Sequence, residues 1–123
     1  MKSIYTDKAP KAVGPYSQAV IANGFVFCSG QIGIIPATGV LEAGIEKQTH
    51  RVLKNISAVL RGAGLDMDKV VKTTVYIKNM NDYLKVNEIY ALYFEKNKPA
   101  RATVEVSNLP KGALVEIEAI AVL

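Results

Sequence analysis

The sequence predicts an α+β sandwich, a β-sheet covered on one face by two helices with the other face left bare. Three observations lead there. An Asn23-Gly24 pair separates two β-type segments, two apolar stripes recur at helical spacing, and the C-terminal segments alternate with period two. In chain order these give ββ-α-β-α-ββ. Two amphipathic helices each need an apolar surface, and one sheet face can serve both.

The first strand is the run Ala19-Val20-Ile21, entered from the turn signal Gly14-Pro15-Tyr16-Ser17. Phe25-Val26-Phe27-Cys28-Ser29 follows Asn23-Gly24 as the second strand and runs into Gly30-Gln31-Ile32. Pro36-Ala37-Thr38-Gly39 reads as a loop. Ile45, Thr49, Val52, Ile56, Val59 and Ala63 then recur at steps of three and four, one face of a helix that Gly62 and Gly64 bring to an end. The β-branched stretch Val70–Ile77 is a strand. Asn79 and Asp82 mark a second helix start, with Tyr83, Val86, Tyr90 and Tyr93 on its apolar side and Pro99 beyond its end. Arg101–Val106 and Leu114–Val122 complete the sheet.

The last strand makes the bare face informative. Val115, Ile117, Ala119 and Ala121 form one side, and Leu114, Glu116, Glu118, Ile120 and Val122 the other. Three large aliphatics are poorly suited to solvent, so this side is expected to meet other copies of the chain.

The length of 123 residues fits one domain, residues 1–123, with a single core. No apolar run approaches the roughly 20 residues that cross a bilayer, and the N-terminal residues carry no apolar leader, so a cytoplasmic protein is expected. A lone cysteine, Cys28, suits a reducing compartment. One cysteine and one histidine, His50, make no closed zinc site, and no metal is expected. The net charge of +4 is dispersed along the chain and interrupted by acids, a weak argument for nucleic acid.

Nucleophile elbows, phosphate loops and zinc-protease motifs are missing. His50 reads as a boundary residue of the first helix, and Cys28 as an inert core thiol. Candidate chemistry is concentrated near the C-terminus. Arg101, Thr103 and Glu105 alternate onto one side of their strand, and Glu116 and Glu118 share a side of a strand expected to neighbour it. An arginine entering a β-rich segment needs a partner. Two readings stand side by side: a structural Arg–Glu pair, or a guanidinium fork that grips a substrate carboxylate.

The segments Gly14-Pro15-Tyr16-Ser17-Gln18, Ser29-Gly30-Gln31-Ile32, Val71-Lys72-Thr73-Thr74-Val75, Val86-Asn87-Glu88, Pro99-Ala100-Arg101 and Glu116-Ile117-Glu118-Ala119 resemble the RidA/YjgF family. Each block alone is weak, but together, in family order, they span nearly the whole chain. The resemblance implies a chorismate-mutase-like fold, with a mixed β-sheet, two helices on one face and a homotrimeric β-barrel core with active sites between subunits. It implies a cofactor-free enzyme that hydrolyses 2-enamino and 2-imino acids to 2-keto acids and ammonia. Arg101 would bind the substrate carboxylate and Glu116 would position or activate water. Tyr16, Ser29, Gly30, Lys72 and Asn87 would line or support the cleft. Many members carry Ser-Cys after the arginine where this chain has Ala102-Thr103; cysteine chemistry is therefore absent at that position, a Thr103 hydroxyl would still be able to hydrogen-bond substrate or water, and the substrate preference is left open.

Two other functions share some of these features. RNA binding or cleavage fits the pI near 9.2, but the chain has neither an aromatic stacking pair nor a basic cluster. A non-catalytic ligand-binding trimer would use the same arginine.

Overall fold

In the computed structural model, which describes residues 1–123, six strands form one sheet against two helices. The strands are β1 (Lys2–Ile4), β2 (Ala19–Ala22), β3 (Phe25–Ile32), β4 (Val70–Ile77), β5 (Ala100–Glu105) and β6 (Val115–Val122). The helices are α1 (Gly44–Gly62) and α2 (Tyr83–Phe94). The predicted hairpin forms: Asn23 and Gly24 take φ of 53° and 82°, the left-handed pair that a tight turn between β2 and β3 requires. The helix after it ends as read, with Gly64 at φ 78° and the Ala63 and Gly64 amides donating to Leu60 and Arg61 carbonyls. Asn79 does not cap α2 itself. Its side chain accepts from the Asn81 amide and starts a one-turn 3-10 helix, Met80–Asp82, from which α2 continues.

The strand order is β1-β2-β3-β6-β4-β5. Every neighbouring pair is antiparallel except β4 and β5, which run parallel and are joined by the α2 crossover. The sheet is therefore mixed. Two features depart from the sequence reading. Strand β1 is short and was not expected; its Lys2–Ile4 segment gains its structure by pairing with β2. Strand β6 enters between β3 and β4, so it does not neighbour β5, and β4 separates Arg101 from Glu116.

The core lies between sheet and helices. Val26 and Cys28 of β3, Val75 and Ile77 of β4, and Val115 and Ile117 of β6 pack with Val52, Leu53, Ile56, Val59 and Leu60 of α1. Val86, Ile89 and Phe94 of α2 complete it. Full burial of each large aliphatic contributes about 1.5–3 kcal/mol. Three buried amides tie loops to this core. Gln18 accepts from the Thr6 amide and donates to the Thr6 and Pro10 carbonyls. Gln48 bridges the Glu42 carbonyl and the Leu114 amide, and Asn55 donates to Ile32 and Ile34. Gly33 is required beside Gln48, whose Cα would lie 2.8 Å from an added Cβ.

The opposite sheet face has no cover within the chain. Phe25, Phe27 and Val104 are 39%, 44% and 41% exposed, with Ile120, Val122 and Tyr76 half-buried among them. No helix is long and apolar enough to cross a membrane.

Candidate active site

Arg101 sits on the edge strand β5, level with the buried Thr73 of β4 and therefore on the helix-covered face. Helix α2 supplies its partners. Arg101 Nη1 donates to Asn87 Oδ1 at 2.7 Å and Nη2 to the Tyr83 hydroxyl at 2.9 Å. The Tyr90 ring lies 4.8 Å from the guanidinium carbon, a cation–π distance. Tyr90 is itself fixed, its hydroxyl 2.6 Å from Thr73 Oγ1. Burial pushes the Tyr90 phenol above its ordinary value, opposed by its bond to Thr73 and by the Arg101 charge. Within the chain Arg101 forms no ion pair, so the Arg–Glu pair expected between neighbouring strands is not made there. Two of its five N–H donors are occupied, and three have no partner within the chain. A cavity of about 510 Å³ opens beside it, lined by Asn87, Tyr90, Ala91, Phe94 and Pro99 among others. Thr103 follows on the same side of β5.

Glu116 faces the other way. It pairs with Tyr76 and Ile32, while its neighbours Val115 and Ile117 point into the core. Burial raises the pKa of the Glu116 carboxyl above its ordinary 4.5, and repulsion from Glu118 raises it further. Glu118 and Glu116 also hold the Tyr76 phenol high, after its loss of solvent. The register of β3 against β6 shifts between Cys28 and Gln31, a bulge that contains Ser29 and Gly30. Gly30 lies directly against Glu116: an added Cβ would come 2.9 Å from its carboxyl carbon. Ser29 Oγ donates to the Ser17 carbonyl at 2.6 Å, tying the loop that carries Tyr16 to the bulge. Tyr16 is 55% exposed.

The predicted residues thus fall into two groups within one chain. Arg101, Asn87 and Thr103 belong to the helix-covered face at the β5 edge. Ser29, Gly30 and Glu116 belong to the β3–β6 region, and Tyr16 lies on the exposed loop that Ser17 ties to Ser29. Lys72 lies on the bare face, level with Ile120 and Ala100, its Nζ donating to the Thr73 carbonyl. The chain does not bring Arg101 and Glu116 together. Apolar periodicity places Tyr83 and Tyr90 on the helix's apolar side but does not reveal them as partners of Arg101. Their spacing with Asn87, at steps of four and three, was the available signal for a shared polar face.

Residues outside these groups behave as read. Cys28 is buried and its thiol is pushed up to about 12, unsuited to nucleophilic work. His50 Nδ1 lies 2.9 Å from the Tyr93 hydroxyl, a boundary contact between α1 and α2.

Residues 6–123 match the family described as Endoribonuclease L-PSP. A RutC family protein of Pyrococcus horikoshii is 56% identical over 119 residues, covering 96% of this chain and 94% of the relative. The 2-iminobutanoate/2-iminopropanoate deaminase of Homo sapiens is 49% identical over 120 residues, covering 97% and 88%. Among solved structures, RidA from an Antarctic Psychrobacter superposes with a TM-score of 0.97 at 42% identity, covering 100% of both chains. Escherichia coli TdcF with bound serine gives 0.95 at 41% identity, covering 100% of this chain and 99% of the other. With the sheet, the helix layer and nearly every residue matched, the chain belongs to the RidA/YjgF family.

Proposed function

We propose that this protein is a 2-iminobutanoate/2-iminopropanoate deaminase, a cytoplasmic enzyme whose active site is completed only between copies in a homotrimer. The observation that carries the reading is the Arg101 guanidinium, fixed by Asn87, Tyr83 and Tyr90 with three donors still free beside an open cavity. Such a planar fork suits a carboxylate bound by two parallel hydrogen bonds. The 49% identity to a protein of that activity supports the same substrate class. The bare face with Phe25, Phe27, Ile120 and Val122 offers the apolar surface through which copies would associate. Strand β5 is the sheet edge, so a second copy can lie against it and bring its own Glu116, Ser29 and Tyr16 towards Arg101.

The chemistry needs positioning and proton movement only. An enamino acid tautomerises to the imine, and water oxygen bonds to the C=N carbon. One proton of that water passes to a base and the nitrogen takes up a proton. The carbinolamine nitrogen is then protonated, its hydroxyl proton passes to the base, and ammonia leaves as the C–N bond breaks and the C=O bond of the 2-keto acid forms. Arg101 and the Thr103 hydroxyl orient the substrate. Glu116, with its raised pKa, is the group that takes and returns the proton, an effect typically worth ~10²–10⁴-fold. No electron transfer or covalent adduct is required, so no cofactor enters the scheme. Gly30 and Ser29 keep the carboxyl accessible, and Lys72 adds positive charge on the same face.

The test is hydrolysis of 2-aminoacrylate and 2-aminocrotonate, generated in place from serine and threonine by a dehydratase. Keto-acid release faster than in buffer, lost in Arg101→Ala, is the expected result. The bound serine of TdcF favours a second reading, a ligand-binding trimer without turnover. Ligand binding with no acceleration over buffer would select it.

A further inference from the structure

On the helix layer, away from both groups of candidate site residues, the loop after β1 crosses the C-terminal half of α1. Between them lies a cavity of about 300 Å³ lined by Thr6, Lys8, Lys54, Ser57, Arg61 and Gly62, with Ala58 its one apolar wall. Its cations approach from two segments of the chain, Lys8 from the loop and Lys54 and Arg61 from one face of α1, about two turns apart. No acid lines it. Lys8 and Lys54 have no carboxylate within 4.0 Å, and Arg61 spends only its Nε on the exposed Asp66, at 3.3 Å. The Thr6 and Ser57 hydroxyls add neutral hydrogen-bonding groups at the same wall.

The loop backbone that carries Lys8 over α1 is held in place, while the three cations stand on exposed side chains. The buried Gln18 amide accepts from Thr6 N at 2.7 Å and donates to the Thr6, Ala9 and Pro10 carbonyls, which locks the loop in place. Gly62 lets that loop come close to α1, since an added Cβ would stand 3.1 Å from Ile4 and 3.6 Å from Thr6. Three cations and two hydroxyls around a small concave space match a compact dianion or trianion better than a monocarboxylate.

We propose that this cavity binds a diphosphate group, free or carried by a nucleoside, at a site separate from the proposed deaminase centre. Lys8, Lys54 and Arg61 neutralise the phosphoryl oxygens, and Thr6 and Ser57 donate to them. Binding there stabilises the loop that runs on through Tyr16 to Gln18, without supplying any group to the reaction.

Calorimetric titration of the intact oligomer with inorganic pyrophosphate, and in parallel with a nucleoside diphosphate, tests this. The expected result is one site per chain that weakens with added salt, with affinity reduced at least about tenfold in the Lys54→Gln/Arg61→Gln double variant. Lys47→Gln, on the same helix but outside the cavity, should leave affinity unchanged. Both side chains of the double variant are at the surface, and an unchanged melting temperature and unchanged imine hydrolysis would show that folding and the other site are intact. Tighter binding of the nucleoside form would identify a nucleotide as the source, and equal binding would identify the free diphosphate. Absence of binding at millimolar pyrophosphate and nucleoside diphosphate, or binding indifferent to the double variant, would overturn the proposal.

Discussion

The Arg101 and Glu116 groups occupy opposite faces of the same sheet, and they differ in how their charges are satisfied. Around Arg101, which is half-buried, the chain supplies an amide oxygen at 2.7 Å, a hydroxyl at 2.9 Å and an aromatic face. Its orientation is settled before any ligand arrives. Around Glu116 the chain supplies the reverse. The carboxyl is half-buried, receives no hydrogen bond from its own chain, and has Glu118 as a nearby like charge. One group is a guanidinium whose position is fixed, and the other is a carboxyl whose proton affinity is raised. On the proposed deaminase reading, this contrast makes a single copy the carrier of two half-sites rather than one site.

Substitutions in the two groups should therefore fail differently. The largest effect is expected from Arg101→Lys, which keeps the charge but loses the fork and the bond to Asn87 or Tyr83. Turnover of 2-aminoacrylate should fall by at least about 100-fold, mostly through lost orientation of the substrate, while circular dichroism stays native. Near-normal turnover would remove the bidentate model.

Gly30→Ala comes next. Its methyl group would overlap the Glu116 carboxyl, so the side chain must swing away or β3 must shift. A stability loss of about 1–3 kcal/mol is expected from overpacking, together with reduced turnover and unchanged affinity for a keto-acid product. Reduced product affinity would place Gly30 with Arg101 instead.

The smallest effect is expected from Glu116→Gln on stability. Because the folded carboxyl titrates above its ordinary 4.5, the folded chain binds a proton that the unfolded chain releases between those two values. The stability contributed by that proton is present below the ordinary value and lost as pH rises through the raised one. Glutamine carries no such dependence. The variant should melt slightly higher than the wild type at pH 7 and indistinguishably at pH 4, as read by thermal denaturation. A lower melting temperature at pH 7 would mean that Glu116 is stabilised by a partner that the single chain lacks.

Local chemistry made much of this legible in the sequence. Asn23-Gly24 fixed the hairpin because only left-handed backbone makes that turn, and the stripe from Ile45 to Ala63 located α1 because its side chains repeat with the helix period. The alternation of β6 correctly separated Glu116 and Glu118 from the core side. What stayed hidden was non-local. Nothing near Leu114 specifies that β6 enters between β3 and β4, since that pairing is decided by packing over the whole sheet. Arg101 and Glu116 therefore looked like residues of adjacent strands. The partners of Arg101 were missed for a related reason: Tyr83 and Tyr90 are amphipathic, and apolar periodicity records their rings but not their hydroxyls. The buried amides Gln18, Gln48 and Asn55 carried no signal, because a polar residue in a helix or a loop looks like surface until its burial is known.

The most direct test of the two-half-site account is subunit complementation. Arg101→Ala and Glu116→Ala chains, each inactive alone, are mixed at equal amounts, dissociated, reassembled and assayed for imine hydrolysis. If each site takes Arg101 from one copy and Glu116 from the next, random reassembly of a cyclic trimer restores about a quarter of wild-type activity, because one in four neighbouring pairs presents both intact residues. If both residues act within one chain, every site stays defective, and activity no higher than that of either variant alone would contradict the account.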